Sequence, residues 1–462
     1  MPSASGLLAL AFSVTSVAVH AAPAHLIPRW TPTWELAAST IIQPCNDSGL
    51  MNSSWLAKWG LVSMDWSNGR AAWAQQQPMD CDGMLLEQAR SVKEIDPSTH
   101  FWVYRNIVKA LPWFTNVREK LEDPQYQGWF LPFKNGVNGT YAHGPGPSGN
   151  IVGPGGQWPK VTACTPGQGC SDRYHDQWSS PQCNTSTSLP PNHRFGWCNE
   201  TCNCGSVPCG EYVFDHRNSS LSDWLVQEFL LGATSLGSEF VDGYFLDDDW
   251  DAWAPGQHGS WGCNGNAVGG PTEMTVNCTA DMGLGSAEIK DITNQWHTNM
   301  ITAKAIAVAA KGFAWQLLLT APTPTKGVQC KAFFRRACAP HSPEYDSALM
   351  VPFAPEGKSP DGRAPNFLAD LATFLLIRGP YAWLGHPFVG CSLWDQEVGG
   401  PGQLYERPPL LGTLKVGTPL NICQETAPGS GVFARQWTGV HVSFDCATAT
   451  GSVHATSPPP TQ

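Results

Sequence analysis

Charged side chains are scarce in this sequence, and cationic ones are scarcer than anionic ones. Lys and Arg total 27 against 38 Asp and Glu, which gives a net charge of −11 at neutral pH. Only 14% of the residues are charged, while 42% are apolar. The deficit of positive charge argues against nucleic acid or an anionic membrane as a partner. The apolar fraction is sufficient for a large core and argues against a disordered chain.

Long apolar runs and nucleotide-binding motifs are also lacking. Beyond the N-terminal segment no stretch reaches the ~20 apolar residues of a membrane span, because Lys304, Lys311 and Arg378 interrupt the best candidates. No glycine-rich phosphate loop follows a predicted strand, which argues against a dinucleotide-binding fold. The absence of a Gly-x-Ser-x-Gly elbow argues against a serine hydrolase.

The N-terminal segment and the cysteines indicate the secretory route. Residues 7–19 are apolar, and Val19-His20-Ala21 resembles a small-residue cleavage site, which predicts a signal peptide at residues 1–21. All 16 cysteines follow it, an even number that permits eight disulfides. Seven Asn-x-Ser/Thr acceptors for glycosylation are present, at Asn46, Asn52, Asn138, Asn184, Asn199, Asn218 and Asn277. We therefore predict a secreted, extracellular, disulfide-bonded glycoprotein.

Apolar strand-like segments alternate with helical ones through most of the chain. The predicted strands are residues 60–66, 100–106, 211–215, 240–247, 312–319 and 348–353, and the predicted helices are residues 85–93, 222–231, 288–310 and 366–377. Such alternation indicates a parallel sheet covered by helices. At this length a closed (β/α)8 TIM barrel is favoured over an open sheet. The predicted fold class is therefore α/β, with the barrel over residues 22–400.

Two segments depart from the barrel pattern. Residues 121–210 are rich in Gly and Pro, and seven cysteines lie between Cys164 and Cys209, which predicts a disulfide-rich loop insertion at about residues 132–210. Four of these cysteines imitate a zinc cluster, but disulfides are the better account outside the cell. Residues 431–444 alternate at period two, which indicates a hairpin within a small C-terminal β extension at residues 401–455. Residues 456–462 are predicted to form a disordered tail.

Polar clusters follow several of the predicted strands. They are Asp65-Trp66, Tyr104-Arg105-Asn106, Asp215-His216-Arg217-Asn218 and Asp247-Asp248-Asp249-Trp250. In a barrel, strand ends meet at the C-terminal face, where active sites lie. Three consecutive carboxylates repel one another, so a purely structural role for the last cluster would be costly. The alternatives are a solvated acidic loop or a Ca²⁺ site for this cluster, and a salt bridge to Arg217 for Asp215.

The Asp247 segment resembles a known family. Residues 242–247 (Asp-Gly-Tyr-Phe-Leu-Asp) resemble the fourth-strand motif of retaining α-glycosidases of the α-glucosidase and α-galactosidase superfamily, and the resemblance implies that Asp247 is the nucleophile. Residues 101–106 and 379–385 are similar to segments of uncharacterised secreted glycosyl-hydrolase-like barrels. The superfamily carries its acid/base two strands further on. Residues 348–353 end there without a carboxylate, and Glu356 is the nearest one.

Glycoside hydrolysis needs two carboxyl groups, one attacking or activating water and the other protonating the leaving oxygen. We predict a secreted glycoside hydrolase acting on an oligo- or polysaccharide, with Asp247 as nucleophile or base and Asp215 as the preferred partner. Asp248 and Glu356 remain candidates for that second role. The predicted substrate-binding residues are Asp65, Trp66, Tyr104, Arg105, Asn106, Arg217 and Trp250. We expect a monomer without cofactor or metal. The alternative is a non-catalytic carbohydrate-binding barrel.

Overall fold

The computed structural model of the chain describes residues 33–46, 49–73, 76, 79–134, 141–143, 212–248, 284–353, 366–388 and 406–456. The predicted signal peptide, most of the predicted insertion and the C-terminal tail lie outside these ranges.

The described strands, in chain order, are β1 (Thr40–Gln43), β2 (Leu61–Met64), β3 (His100–Asn106), β4 (Lys109–Ala110), β5 (Pro132–Lys134), β6 (Tyr141–His143), β7 (Tyr212–Val213), β8 (Gly243–Asp247), β9 (Phe313–Ala314), β10 (Leu319–Thr320), β11 (Leu349–Pro352), β12 (Ala382–Phe388), β13 (Gln424–Glu425), β14 (Val432–Gln436), β15 (Val440–Asp445) and β16 (Thr450–Ala455). The described α-helices are α1 (Ser53–Leu56), α2 (Arg70–Trp73), α3 (Cys81–Lys93), α4 (Thr115–Glu122), α5 (Ser219–Trp224), α6 (Ser286–Ala309), α7 (Val328–Ala337), α8 (Pro343–Asp346), α9 (Phe367–Ile377) and α10 (Leu410–Thr413). A π-helical segment, Leu225–Leu230, continues α5.

The central sheet contains eight parallel strands in the order β10-β11-β12-β1-β2-β3-β8-β9. Counting only the strands of this sheet, each strand lies next to the one that follows it along the chain. The last of them, β12, pairs with the first, β1. This is the ring order of a (β/α)8 barrel. The α/β class and the parallel sheet are confirmed. No pairing between β9 and β10 is present in the described residues, so closure of the ring stays a prediction.

Side-chain alternation divides the sheet into an inner and an outer face. Ile41, Leu61 and Trp102, from β1, β2 and β3, form one buried cluster with Phe313 of β9 and Met350 of β11. β9 is one edge of the sheet and β11 is next to the other edge, so the sheet curls around this cluster. On β8, a side chain at Gly243 would meet the Trp102 indole at 2.6 Å, so only glycine admits that ring.

The outer face is covered by the helices, as α3 illustrates. Asp80 caps this helix by accepting a hydrogen bond from the Gly83 amide at 3.0 Å. Leu85, Ala89 and Val92 repeat at helical spacing and are fully buried. Local sequence therefore determines both the start of the helix and the face that it turns toward the sheet. None of the helices in the described ranges is long and apolar enough to cross a membrane.

The C-terminal segment forms a four-stranded antiparallel sheet in the order β13-β14-β15-β16. The predicted hairpin is present as β14 and β15, which pair over their full length. At Gly451 of β16, an added side chain would come within 2.5 Å of the Leu368 carbonyl oxygen of α9, so this sheet packs closely on the barrel. Two disulfides, Cys330–Cys446 and Cys338–Cys423, join the sheet to α7 and the residue that follows it.

Two predicted strands differ from the structure. The strand predicted at residues 312–319 is two short strands, β9 and β10, separated by a 3-10 helix at Trp315–Leu317. In the segment predicted as a strand at residues 211–215, residues 212–215 do not belong to the barrel, because β7 pairs antiparallel with β4 outside the central sheet. β8 is therefore the fourth strand of the ring, next to β3. Among the described cysteines, Cys81 is a buried free thiol, so the protein does not form all eight disulfides that sixteen cysteines permit. Its thiol donates to the Trp66 carbonyl oxygen at 3.3 Å.

Candidate active site

Polar side chains from β2, β3 and β8 meet at the carboxyl edge of the sheet. Asp247 is the last residue of β8 and lies opposite Asn106, the last residue of β3. Asp65 follows β2 directly, and Asp248 follows β8 with φ of 57°, in the left-handed region that non-glycine residues seldom adopt. Because parallel strands end at the same edge, these four side chains belong to one site.

A hydrogen-bond network connects the side chains of β3 and β8. The Tyr104 hydroxyl donates to Asp247 Oδ2 at 3.0 Å. The Asn106 amide nitrogen donates to the Tyr104 hydroxyl at 2.9 Å and to Asp248 Oδ2 at 2.7 Å. Asn106 Oδ1 accepts from the Lys109 backbone amide at 2.7 Å, which orients the Asn106 side chain. The network therefore holds two neighbouring carboxyl groups in fixed positions.

The surroundings of Asp247 strongly change its pKa. Its pKa is raised from 3.8 to about 7, first by burial and then by the charges of Asp248 and Asp65, while a hydrogen bond from the Asp248 backbone amide and the charge of Lys109 act in the opposite direction. Burial and the charge of Asp247 raise the pKa of Tyr104 well above its usual value. The tyrosine therefore stays a proton donor, and Asp247 changes protonation near neutral pH.

Asp248 has a cationic partner that sequence reasoning missed. The Lys109 ammonium nitrogen lies 3.3 Å from Asp248 Oδ2. Lys109 lies in β4, three residues after Asn106. Its position just beyond a polar strand end was the one feature of the sequence that could have indicated a place in the site. Its positive charge balances part of the negative charge of the site.

Asp65 and Trp66 extend the site toward β2. Asp65 is 4% exposed, and its Oδ1 accepts from the backbone amide and the hydroxyl of Ser67 at 2.8 and 2.7 Å. Trp66 is partly exposed and contacts the ring of Trp113, with centroids 4.8 Å apart, and the edge of Tyr104, at 6.5 Å. These residues form an aromatic wall beside the carboxylates.

The structure does not support substrate binding by Arg105. Its guanidinium is fully buried and donates to the backbone oxygens of Tyr104, Phe229 and Thr234, at 2.8, 3.2 and 2.7 Å. It also lies 5.3 and 5.2 Å from the ring centroids of Phe114 and Phe229. Arg105 therefore faces the surrounding helices, because its neighbours Tyr104 and Asn106 occupy the opposite face of β3.

Asp215 and Arg217 form a separate ion pair. The Arg217 guanidinium binds both carboxylate oxygens of Asp215, at 2.8 and 2.7 Å, and a third nitrogen lies 3.0 Å from Glu288. Asp215 does not end a strand of the central sheet, so the reason for pairing it with Asp247 is lost. The salt bridge named as the alternative is what the structure contains, and the catalytic and binding roles of the two residues stay predictions.

Asp249, Trp250 and Glu356 lie outside the described residues.

Asp242, the other aspartate of the strand motif, lies at the amino end of β8, away from Asp247. Its Oδ2 is 2.7 Å from the Lys93 ammonium and accepts from the Phe101 amide at 2.8 Å. Despite burial, hydrogen bonds from His100 and Lys93 and their charges lower the pKa of Asp242. Asp242 is therefore a structural carboxylate.

Two further features bear on ligands. In the described ranges, no three His, Cys, Asp or Glu side chains cluster closely enough to hold a metal ion. A cavity of about 410 Å³ is lined by residues 33–37, 411–412 and 414–418. It lies before the amino end of β1, so it does not belong to the carboxyl edge where Asp247 lies.

The chain has only weak similarity to known proteins. No protein-family model matches the chain, and no curated protein matches it. Among solved structures, sucrose 6F-phosphate phosphorylase from Thermoanaerobacter thermosaccharolyticum is similar with a TM-score of 0.38 and 9% identity, over 90% of this chain and 95% of that one. Trehalose-6-phosphate hydrolase from Bacillus licheniformis is similar with a TM-score of 0.28 and 8% identity, over 76% of this chain and 57% of that one. At these values neither likeness assigns a reaction or a substrate to this chain.

Proposed function

We propose that this protein is a secreted glycoside hydrolase that cleaves O-glycosidic bonds with paired carboxyl groups. The observation that carries the proposal is the convergence of Asp247, Asp248 and Asp65 at the carboxyl edge of a barrel-like sheet, where burial and the neighbouring charges raise the pKa of Asp247 to about 7. A carboxyl group with such a pKa is suited to proton transfer at neutral pH. A purely structural carboxylate would gain nothing from so costly an environment.

The raised pKa favours one of the two roles predicted for Asp247. A nucleophile must be ionised to attack, whereas an acid or base must exchange a proton during the reaction. We therefore assign proton transfer to Asp247. Asp248, beside the Lys109 ammonium, and Asp65, beside Ser67, are the candidates for the second carboxylate, which attacks or stabilises the anomeric carbon.

A carbohydrate substrate agrees with the remaining groups. Trp66 offers an aromatic surface to a sugar ring, while the carboxylates of Asp65 and Asp248 offer acceptors to hydroxyl groups. The signal-peptide pattern and the disulfide-bonded cysteines support an extracellular setting.

Turnover of aryl glycosides tests this proposal. The purified protein is incubated with a panel of p-nitrophenyl glycosides, and kcat/KM on the best substrate is compared with that of Asp247→Asn. Loss of the proton-transferring group should lower kcat/KM by at least ~10³-fold, about 4 kcal/mol of barrier. Asp291→Asn, an exposed aspartate on α6, makes the same chemical change and should match the wild type.

Two results contradict the proposal. Full turnover by a folded Asp247→Asn would remove Asp247 from the mechanism. Sugar binding without turnover by the wild type would favour the non-catalytic carbohydrate-binding barrel. Circular dichroism on each variant separates loss of activity from loss of fold.

A further inference from the structure

Three of the Asn-x-Ser/Thr acceptors begin at an asparagine that the structure describes, and these are Asn46, Asn52 and Asn218. All three triplets end in serine, so the motif itself does not rank them. An N-linked glycan is attached through the side-chain nitrogen, and this bulky polar group needs solvent around it. The exposure and the hydrogen bonds of each asparagine therefore decide which of these sites the folded protein can carry.

Asn52 meets both requirements. Its side chain is exposed, and its Oδ1 caps α1 by accepting a hydrogen bond from the Trp55 amide at 3.1 Å. In the part of the chain that the structure describes, no hydrogen bond engages its Nδ2. A sugar on Nδ2 leaves Oδ1 free to accept, so the cap survives the modification. The cap and the glycan use different atoms of one side-chain amide.

The backbone on either side of Asn52 is anchored to α3. The Met51 amide donates to Gln88 Oε1 at 2.6 Å, and Gln88 Nε2 donates to the Met51 carbonyl oxygen at 3.2 Å. The hydroxyl oxygens of Ser53 and Ser91 are 2.7 Å apart. Asn52 therefore projects into solvent from a fixed position, and a glycan there requires no movement of the backbone.

Asn46 is the opposite case. It is 4% exposed, its backbone amide donates to Asn68 Oδ1 at 3.2 Å, and its carbonyl oxygen accepts from the Gly69 amide at 2.7 Å. The preceding residue, Cys45, forms a disulfide. Such burial leaves no opening for a sugar ring on the side-chain nitrogen. A chain with a glycan on Asn46 could not pack against the turn after β2, so it would not reach this fold.

Asn218 lies between these extremes. It is partly exposed, and its Nδ2 donates to the Gly128 carbonyl oxygen at 3.3 Å. Its Oδ1 accepts from the amide and the hydroxyl of Ser220, at 3.0 and 2.7 Å. A glycan on this nitrogen competes with the bond to Gly128. Among the three described acceptors, Asn52 is the one whose nitrogen is both exposed and unengaged.

We propose that Asn52 carries an N-linked glycan in the mature protein and that Asn46 does not, although both triplets match the acceptor pattern. The donor is a lipid-linked diphosphate oligosaccharide. A bond forms between Asn52 Nδ2 and the anomeric carbon of the first sugar, the bond from that carbon to the diphosphate oxygen breaks, and Nδ2 gives up one proton. This assignment depends on the secretory route and is independent of glycoside hydrolysis.

Isotope labelling of the glycosylated asparagines tests the assignment. The full chain is produced by eukaryotic cells with its own N-terminal segment and treated with peptide N-glycosidase F in water enriched in heavy oxygen, which converts each glycosylated asparagine to a labelled aspartate. Chymotryptic cleavage at Leu50 separates Asn46 from Asn52, and mass spectrometry locates the label. Most molecules should be labelled at Asn52 and unmodified at Asn46. Label at Asn46 of the folded protein, or an unlabelled Asn52, would overturn the assignment.

Two serine substitutions form a matched pair of variants. Ser54→Ala removes the acceptor triplet of Asn52 but keeps its capping side chain, so the intact mass should fall by one glycan and the melting temperature should stay close to that of the wild type. Ser48→Ala removes the triplet of Asn46 and should leave the number of glycans unchanged. A glycan lost from Ser48→Ala, or none lost from Ser54→Ala, would contradict the assignment.

The outcomes also separate this inference from the proposed hydrolase. If no asparagine in the protein is labelled, the chain is not glycosylated on the secretory route, and the assignment fails while the turnover assays still decide the hydrolase. If Asn52 is labelled and the protein hydrolyses no glycoside, the hydrolase fails and the glycan site stands.

Discussion

Asp247 illustrates how single residues carry the properties of the site. Burial, followed by Asp248 and Asp65, raises its pKa to about 7, whereas an aspartate in the unfolded chain titrates near 4. The folded protein therefore binds this proton more tightly than the unfolded chain does. The resulting contribution to stability is complete below pH ~4 and is lost as the pH rises through about 7.

The raised pKa of Asp247 predicts how the Asp247→Asn substitution changes the stability of the protein at different pH values. The variant should have the higher free energy of unfolding at pH 8, by about 2 kcal/mol, because it removes a buried charge next to two other carboxylates. The difference should shrink as the pH falls and disappear near pH 4. Urea unfolding at pH 4, 6 and 8 measures it, with Asp291→Asn as the control that follows the wild type. A difference that does not vary with pH would contradict the raised pKa.

Tyr104 provides a second test at the residue scale. Its hydroxyl donates to Asp247 Oδ2, which stabilises the ionised carboxylate. Tyr104→Phe should therefore raise the pKa of Asp247 further, by up to about one unit. The limb of the pH profile of kcat/KM that reports Asp247 should move to higher pH. Tyr126→Phe, remote from Asp247 in the ring pair with Trp129, should leave the profile unchanged, and a shift to lower pH in Tyr104→Phe would refute the assigned donor.

At the scale of elements, the end of α9 shows how the barrel and the C-terminal sheet are joined. Arg435 of β14 is 1% exposed, and one of its guanidinium nitrogens donates to the backbone oxygens of Leu375, Leu376 and Arg378, at 3.2, 3.0 and 2.8 Å. Carbonyl groups at a helix C-terminus lack partners within the helix, and a cation there is favourable. Burial lowers the pKa of Arg435 to about 10, so it still carries its charge at neutral pH.

Removal of this cap should be costly. Arg435→Met keeps much of the volume but leaves buried carbonyl groups unpaired, so the free energy of unfolding should fall by about 3 kcal/mol. Arg335→Met is the control, because Arg335 is 52% exposed in its ion pair with Glu425 and should cost less than ~1 kcal/mol. Thermal and denaturant unfolding compare the two. Similar losses for both would mean that the cap contributes little.

For the whole molecule, disulfides connect parts that are distant in the sequence. Cys330–Cys446 spans 116 residues and Cys338–Cys423 spans 85, and both join the α7 region to the C-terminal sheet. A cross-link over so long a loop stabilises mainly by restricting the unfolded chain. The barrel and its extension should therefore unfold together.

Loss of one cross-link tests this coupling. The double variant Cys330→Ala/Cys446→Ala should lose about 2–4 kcal/mol and unfold at a lower temperature. Cys81→Ala changes a cysteine that forms no disulfide, so mild reductant should lower the melting temperature of this control as much as that of the wild type. Reductant should lower the melting temperature of the double variant by less than it lowers that of the wild type. An undiminished effect of reductant on the double variant would contradict a stabilising role for Cys330–Cys446.

Much of the architecture was predictable from local patterns. The predicted strand at residues 100–106 coincides with β3, and the helix predicted at residues 288–310 differs from α6 by one or two residues at each end. Apolar runs and helical spacing are properties of neighbouring residues, so they are visible in the sequence. β1 was not predicted, because only two of its four residues, Ile41 and Ile42, are apolar.

The sequence by itself determined the parallel α/β class, the terminal hairpin and the carboxylates at the end of β8, because apolar period and strand ends are local properties. Only the tertiary structure decided which strands are neighbours. It places Asp215 outside the central sheet, because β7 pairs with β4. It also decided that Arg105 faces the helices, that Cys81 has no disulfide partner and that Lys109 reaches Asp248. A strand pattern defines two alternating faces, but only the register with its neighbours decides which face meets the barrel axis, and the pKa of Asp247 follows from that choice.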